Sequence, residues 1–263
     1  MNINIDIEKV IEVIKAAGGI INRKFQTKRS IESKGKSNYV TDLDKEIEQY
    51  IIEKISQLYP QYPFISEESQ HNLGQVNTYW VLDPIDGTTN LIHNYPRVCI
   101  SIALISCNET IFGIVYSPLT NELFYAQQHK GAYIQKGDLT NKISVSGCNN
   151  VEYSLIGFGC PYNKERIPLL FDFMKLLLSQ CDDIKRTGPA SLDLCYVACG
   201  ILDAYLELDL EIWDFLAGSL ILKEAGGIIT DINGNLVENK KSDILVSNGK
   251  IHTKIIDIIK NSR

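Results

Sequence analysis

Trp80-Val81-Leu82-Asp83-Pro84-Ile85-Asp86-Gly87-Thr88-Thr89-Asn90 is an apolar strand that runs into two aspartates around a proline and then into a Gly-Thr-Thr helix start. Asp83 at the strand end and Asp86 after the turn can converge on one point, and oxygen-rich clusters of that kind suit hard cations such as Mg²⁺. The backbone carbonyl of Ile85, between them, faces the same space. Gly87 permits close approach of another group, and the amides of Gly87, Thr88 and Thr89 at a helix N-terminus favour an anion. Cations and a phosphate would then meet at one spot. Taken alone, the same letters also fit a D-P-x-D-G turn with ordinary Asp caps.

Upstream, Phe64-Ile65-Ser66-Glu67-Glu68-Ser69 places two glutamates directly after a short apolar run. Before that, Thr41 starts a helix with Asp44 as its capping partner and Ile47, Ile51, Ile55 and Leu58 on the apolar side, closed by Pro60. Ile7, Val10, Ile11, Ile14 and Ile21 recur at helical spacing, so the first two dozen residues read as an amphipathic helix, and the polar stretch SKGKSNY (33–39) reads as a loop.

Downstream, the runs YWVL, VCISIALI, IFGIVYS, ELFYAQ, GAYIQ and ISVSG are short, β-branched and aromatic, which predicts a mainly antiparallel sheet. Beyond Val151 the spacing predicts a strand (SLIGFG), a helix over 168–180 and a helix from Ser191 ended by Gly200. A strand (ILDAYLEL), a helix over 213–225 stopped by Gly226-Gly227, further strand and a short final helix follow. Trp213-Asp214-Phe215-Leu216-Ala217-Gly218 puts an aspartate at the head of the penultimate helix, where it also suits a plain N-cap. No linker or repeat divides the chain, so one compact unit of layered helices and sheets fits.

The formal charge of -6, with basic and acidic residues interspersed, offers no basic stripe for a nucleic-acid backbone, so no direct nucleic-acid contact is expected. The longest apolar runs are far short of a membrane span and MNINIDIEKV is not a basic-then-apolar leader, which points to a cytoplasmic protein without a membrane partner. Seven cysteines without a C-x-x-C pair suggest neither a disulfide framework nor a zinc site; Cys195 and Cys199, four apart, read as core packing. His71, His93, His129 and His252 form no metal-binding pair. Gly35-Lys36-Ser37 lacks the earlier glycine of a P-loop, Ser144-Val145-Ser146-Gly147 lacks the first glycine of a nucleophile elbow, and Gly157-Phe158-Gly159 does not continue into a dinucleotide fingerprint.

The three acidic segments, taken in order and spacing, resemble the signature of the inositol monophosphatase family of magnesium-dependent, lithium-sensitive phosphatases. The resemblance extends to Tyr39-Val40-Thr41-Asp42-Leu43-Asp44, to Arg186-Thr187-Gly188-Pro189-Ala190-Ser191-Leu192-Asp193 and to Lys223-Glu224-Ala225-Gly226-Gly227, and so spans nearly the whole chain. It implies an α/β (α+β type) fold layered α-β-α-β-α and usually assembled as a homodimer. Residues 1–263 would form one domain, with a larger antiparallel-sheet half over 1–150 and a smaller mixed-sheet half over 151–263.

The resemblance also implies roles. Glu67, Asp83 and the Ile85 carbonyl would hold a first Mg²⁺, Asp83, Asp86 and Asp214 a second, and Glu67 with water a third; Mn²⁺ would substitute and Li⁺ would inhibit. Thr88 and Asp44 look like the pair that orients and deprotonates the attacking water, with Glu67 assisting. Asp86, Gly87, Thr88, Gly188, Ala190, Glu207 and Asp214 would contact a small phosphorylated polyol or sugar. Pro189 departs from the small hydroxyl residue usual in relatives and removes a backbone N–H. Lys34 matches a position near the metal site and equally suits a surface lysine. Related activities toward fructose 1,6-bisphosphate or a 3'(2'),5'-bisphosphate nucleotide, and a regulatory role bound to the transcription machinery, remain the competing implications.

Overall fold

A computed structural model describes residues 3–35, 38–69 and 76–260; Lys36, Ser37 and His71 lie outside the described residues. The chain opens with α1 (Ile7–Lys24), whose Val10, Ile11, Ile14 and Ile21 are buried as the helical spacing predicts. The described residues of the stretch read as a polar loop are instead strand, β1 (Ile31–Gly35) pairing antiparallel with β2 (Asn38–Thr41). All five residues of β1 are exposed, so no buried face writes a period of two into the sequence.

α2 (Asp42–Leu58) is followed by β3 (Phe64–Ser66), β4 (Thr78–Asp86) and α3 (Thr88–Ile92). Then come β5 (Cys99–Ser106), β6 (Glu109–Ser117), β7 (Glu122–Gln127), β8 (Ala132–Lys136) and β9 (Leu139–Lys142). The second half contains β10 (Leu155–Phe158), α4 (Ile167–Leu178), β11 (Asp183–Lys185), α5 (Ala190–Ala198), β12 (Ala204–Leu210), α6 (Ile212–Glu224), β13 (Ile228–Thr230), β14 (Ser242–Ser247) and α7 (His252–Lys260). The predicted strand ISVSG is not one: β9 takes up the hairpin before it, and the Val145 amide leaves the sheet to donate to Ala225 O at the end of α6 (3.1 Å).

Strands β3 to β9 form a seven-stranded sheet in chain order, antiparallel except for the parallel pair β3 and β4. The second sheet, ordered β11-β10-β12-β14-β13, is mixed. Three apolar clusters stack the layers. α1 and α2 pack Ile14, Ile47 and Ile51 onto Trp80, Leu82, Ile100, Ile102 and Leu104. The opposite face of the same strands, through Val81, Cys99, Ala103 and Ile105, meets α5 and α6, which also cover Tyr205, Ile244 and Val246 of the second sheet. α4 and α7 close the far side over Ile156, Leu206 and Leu245. The order is helices, sheet, helices, sheet, helices, the expected α-β-α-β-α layering. Because both faces of β5 are covered, its sequence is apolar on both faces, broken only by the buried Ser101 and the terminal Ser106, rather than an alternation.

Two local features bring the layers to bear on the acidic motif. α6 crosses β6 so closely that a Cβ on Gly113 would lie 2.9 Å from Ala217 O. In β4, Asp83 pairs with Ser101 but Asp86 pairs with Cys99, a bulge of one residue at the proline, which has no N–H for the ladder. Without the bulge Asp83 and Asp86 would point to opposite faces; with it both face the middle helical layer. Among the described residues no helix is long and apolar enough to cross a membrane.

Candidate active site

Asp83, Asp86 and Asp214 come together at the ends of β4 and α6, each offering a carboxylate oxygen within 4.8 Å of the others. Each is anchored by a backbone amide: Ile85 N donates to Asp83 Oδ1 (2.9 Å), Ser191 N to Asp86 Oδ2 (2.9 Å) and Glu211 N to Asp214 Oδ2 (2.8 Å). A carboxylate has about four lone-pair sites, so these bonds fix orientation and leave acceptor capacity for a ligand. Asp214 occupies the third position of α6 and closes a capping box with Glu211. The plain-cap interpretation therefore describes its backbone role without exhausting its side chain.

Asp44 repeats that arrangement. It is the third residue of α2 and closes a capping box with Thr41, receiving the Thr41 amide at 2.9 Å and the Thr41 hydroxyl. Its second oxygen accepts the Thr88 hydroxyl at 2.9 Å, which is also 3.2 Å from Ile85 O. Asp44 is 1% exposed, and burial raises its pKa against the opposing pull of the Thr41 and Thr88 hydrogen bonds.

Glu67 follows β3 directly and stands beside the aspartates rather than within their 4.8 Å group. Lys34 of the β1–β2 hairpin reaches it at 3.2 Å and Glu68 at 2.6 Å, so this lysine belongs to the site and not to an idle surface. The Glu67 loop is pinned from below by Glu48 of α2, which accepts Ser66 Oγ, Ser69 Oγ and the Glu68 amide.

Gly87, Thr88, Gly188, Ala190, Glu207, Asp86, Asp214, Glu67 and Lys34 all line one cavity of about 460 Å³; Asp83, Ile85 and Asp44 lie beneath its wall. Gly87 adopts φ 100°, open to glycine, and a Cβ there would sit 3.0 Å from Arg97 O. The helix after it, α3, is five residues long, so an anion would meet local amides more than a macrodipole. Across the cavity, Gly159 makes room for Glu207, whose carboxylate would overlap any Cβ at that position. Tyr205 donates its hydroxyl to Glu207, and burial pushes the Glu207 carboxyl up to about 8. Pro189 precedes α5; the amides of Ala190 and Ser191, which follow it, are directed at Asp86.

The electrostatics favour a cation. Burial first, and then the charges of the neighbouring acids, pushes Asp83 and Asp214 well above the usual carboxylate range; burial likewise raises Asp86 and Glu67. Among the described residues no lysine, arginine or histidine forms an ion pair with Asp83, Asp86 or Asp214. Clustered buried carboxylates without a matched cation fit a hard divalent ion by charge and by donor type.

Some contributors escaped the sequence reading. Ser191 holds Asp86 through both its amide and its hydroxyl. Asp193, fully buried, accepts the Thr187 hydroxyl and the Gly188 amide (2.9 Å). The signal for Asp193 was present: an acid inside the apolar run Leu192-Asp193-Leu194-Cys195 is rarely buried without partners. Glu48 and Arg97 had no such signal, because their partners are distant in the chain.

Three aspartates converging beside a short amide turn, in a polar cavity lined from both sheets, form an acidic cluster that could hold a metal ion. The chain belongs to the inositol monophosphatase family, whose model matches residues 6–263. It is 38% identical over 228 residues to the Nus factor SuhB of Pasteurella multocida, spanning 85% of this chain and 84% of that protein. Extragenic suppressor protein SuhB of Bartonella henselae has a similar structure, with a TM-score of 0.91 at 31% identity over 97% of this chain and 98% of that one. The inositol monophosphatase of Anabaena (Nostoc) sp. gives 0.86 at 30% identity, covering 97% and 94%.

Proposed function

We propose that this chain is a magnesium-dependent phosphomonoesterase that hydrolyses inositol monophosphate, or a similar small sugar phosphate, to the alcohol and inorganic phosphate. The observation that carries this is the convergence of Asp83, Asp86 and Asp214 within 4.8 Å, beside the Thr88–Asp44 hydrogen bond of 2.9 Å. Glu67, Asp83, the Ile85 carbonyl, Asp86 and Asp214 would hold two or three Mg²⁺ ions, with Mn²⁺ as a substitute. Magnesium held there would make a water more acidic and offset charge gathering on the phosphoryl oxygens.

The chain's own residues do the rest. With its proton engaged by Asp44, the Thr88 oxygen presents only lone pairs, so it orients a water by accepting its hydrogen. Asp44, its basicity raised by burial, receives the proton relayed through Thr88. The amides of Gly87, Thr88 and Thr89 bind the phosphate oxygens. Gly188, Ala190, Glu207 and Asp86 meet the sugar hydroxyls.

The chain acts as a single domain and a cytoplasmic homodimer in this proposal, without direct nucleic-acid contact, in keeping with its net charge of -6. Fructose 1,6-bisphosphate and 3'(2'),5'-bisphosphate nucleotides are the competing substrates. The Pasteurella relative's description as a Nus factor favours a second, non-enzymatic role in transcription. Phosphate release from these three substrates, with and without Mg²⁺, tests the assignment; release from none would leave the binding role.

A further inference from the structure

Arg97 lies in the segment between α3 and β5 and ties together the two loops that build the cavity. Its carbonyl accepts Asn90 Nδ2 (2.8 Å), from the helix that begins at Thr88. Its side chain leaves in the other direction: Nε donates to Gly188 O (3.3 Å) and Nη1 to the Tyr196 hydroxyl (2.9 Å), while Nη2 faces Asp193 Oδ1 at 3.6 Å. The guanidinium lies over the Tyr196 ring, 4.8 Å from its centre. Both partners are themselves held. Asp193 grips Thr187 and Gly188, and Tyr196 donates to Glu122 of the first sheet (2.9 Å).

We infer that Arg97 is a positioning residue for substrate recognition, one that sets the distance between the phosphate-binding turn (Gly87–Asn90) and the hydroxyl-binding loop (Gly188–Ala190). This rests on the proposed phosphatase function and extends it to specificity. The guanidinium touches neither the aspartate cluster nor Thr88. Its loss should therefore leave Asp83, Asp214 and Thr88 in place, with Asp86 still held by the Ser191 amide and hydroxyl, while the Gly188 end of the loop that meets the rest of the substrate drifts. Only a planar fork with several donors reaches Gly188, Tyr196 and Asp193 together; an ammonium reaches one or two.

The test compares wild type, Arg97→Met and Arg97→Lys on two substrates: inositol monophosphate, whose hydroxyls need the loop, and p-nitrophenyl phosphate, which has none. For Arg97→Met, kcat/KM for inositol monophosphate falls about tenfold, the loss expected from about one substrate hydrogen bond, and chiefly through KM. The aryl phosphate changes little, the Mg²⁺-induced rise in melting temperature is kept, and Arg97→Lys lies between. Equal losses on both substrates, or none on either, would overturn the inference. Should wild type hydrolyse neither substrate, the phosphatase proposal fails by itself. Calorimetric binding of inositol monophosphate and of inorganic phosphate then decides Arg97's role, since the variant must weaken the first and spare the second.

Discussion

Asp86 belongs to the aspartate cluster and Thr88 lies two residues beyond it, yet they should fail differently when changed. Thr88→Ala removes the hydroxyl that donates to Asp44 but keeps the backbone amide proposed to hold phosphate. Turnover should drop by about a hundredfold or more, the usual range for a proton-transfer group, with KM nearly constant. Steady-state kinetics checks this, and a raised KM with unchanged kcat would assign Thr88 to binding. Asp86→Asn keeps the shape and removes one charge from a group whose like-charged pairs each cost about 1 to 4 kcal/mol. The metal-free variant should melt at or above the wild-type temperature, while the Mg²⁺-induced rise shrinks and activity is mostly lost. An Asp86 that only held its turn would tolerate Asn in all three measurements. The partner that turned out to hold Asp86, Ser191, lies 105 residues away, which is why the motif announced the acid and not its anchor.

α2 serves as a base plate, with Asp44 under Thr88 and, one turn on, Glu48 under the Glu67 loop. Thr41→Ala breaks the capping box and releases one side of Asp44, so it should cost about 1 to 2 kcal/mol in denaturant melts, with some loss of turnover. Full stability would show the cap to be idle. A second test lies at the start of α7. His252 is buried between Thr230 Oγ1 (2.9 Å) and Ser247 Oγ (2.8 Å), and burial lowers its pKa from 6.5. The unfolded chain then takes up a proton at a higher pH than the fold does. Stability from this group is complete above the ordinary value of 6.5 and is lost as pH falls below it. Between about pH 7 and pH 5 the wild-type melting temperature should fall more steeply than that of His252→Gln; parallel slopes would contradict this. The helices were legible because each buries a stripe, as the isoleucines of α1 and α2 record. The pairing of β1 with β2 was not, since β1 is exposed throughout. Nor was the true course of ISVSG, whose Ile143 and Val145 pack against the middle helical layer without joining a sheet there.

The five layers were foreseen from a family resemblance, and the structure supplies their physical basis: the two sheets share the α5–α6 layer, so β5 and α6 are both predominantly apolar along their buried lengths. What no local pattern encoded is the meeting of segments far apart in sequence. The bulge at Asp83–Asp86 turns both acids toward α6, Ser101 Oγ fixes the Trp213 carbonyl beside them (3.1 Å), and Arg97 joins the cavity's two sides. Lithium should inhibit at high Mg²⁺, because a monovalent ion in the aspartate cluster carries too little charge for the leaving oxygen; a rate unaffected by tens of millimolar lithium would count against an inositol-type centre. The proposed activity depends on those carboxylates acting through a divalent ion. The most direct measurement is phosphate release from inositol monophosphate by the intact protein, with Mg²⁺ and then with the metal chelated. Release that requires Mg²⁺ and returns when it is restored is the predicted result. Release that persists without any divalent ion, or none at all with Mg²⁺ present, would contradict it.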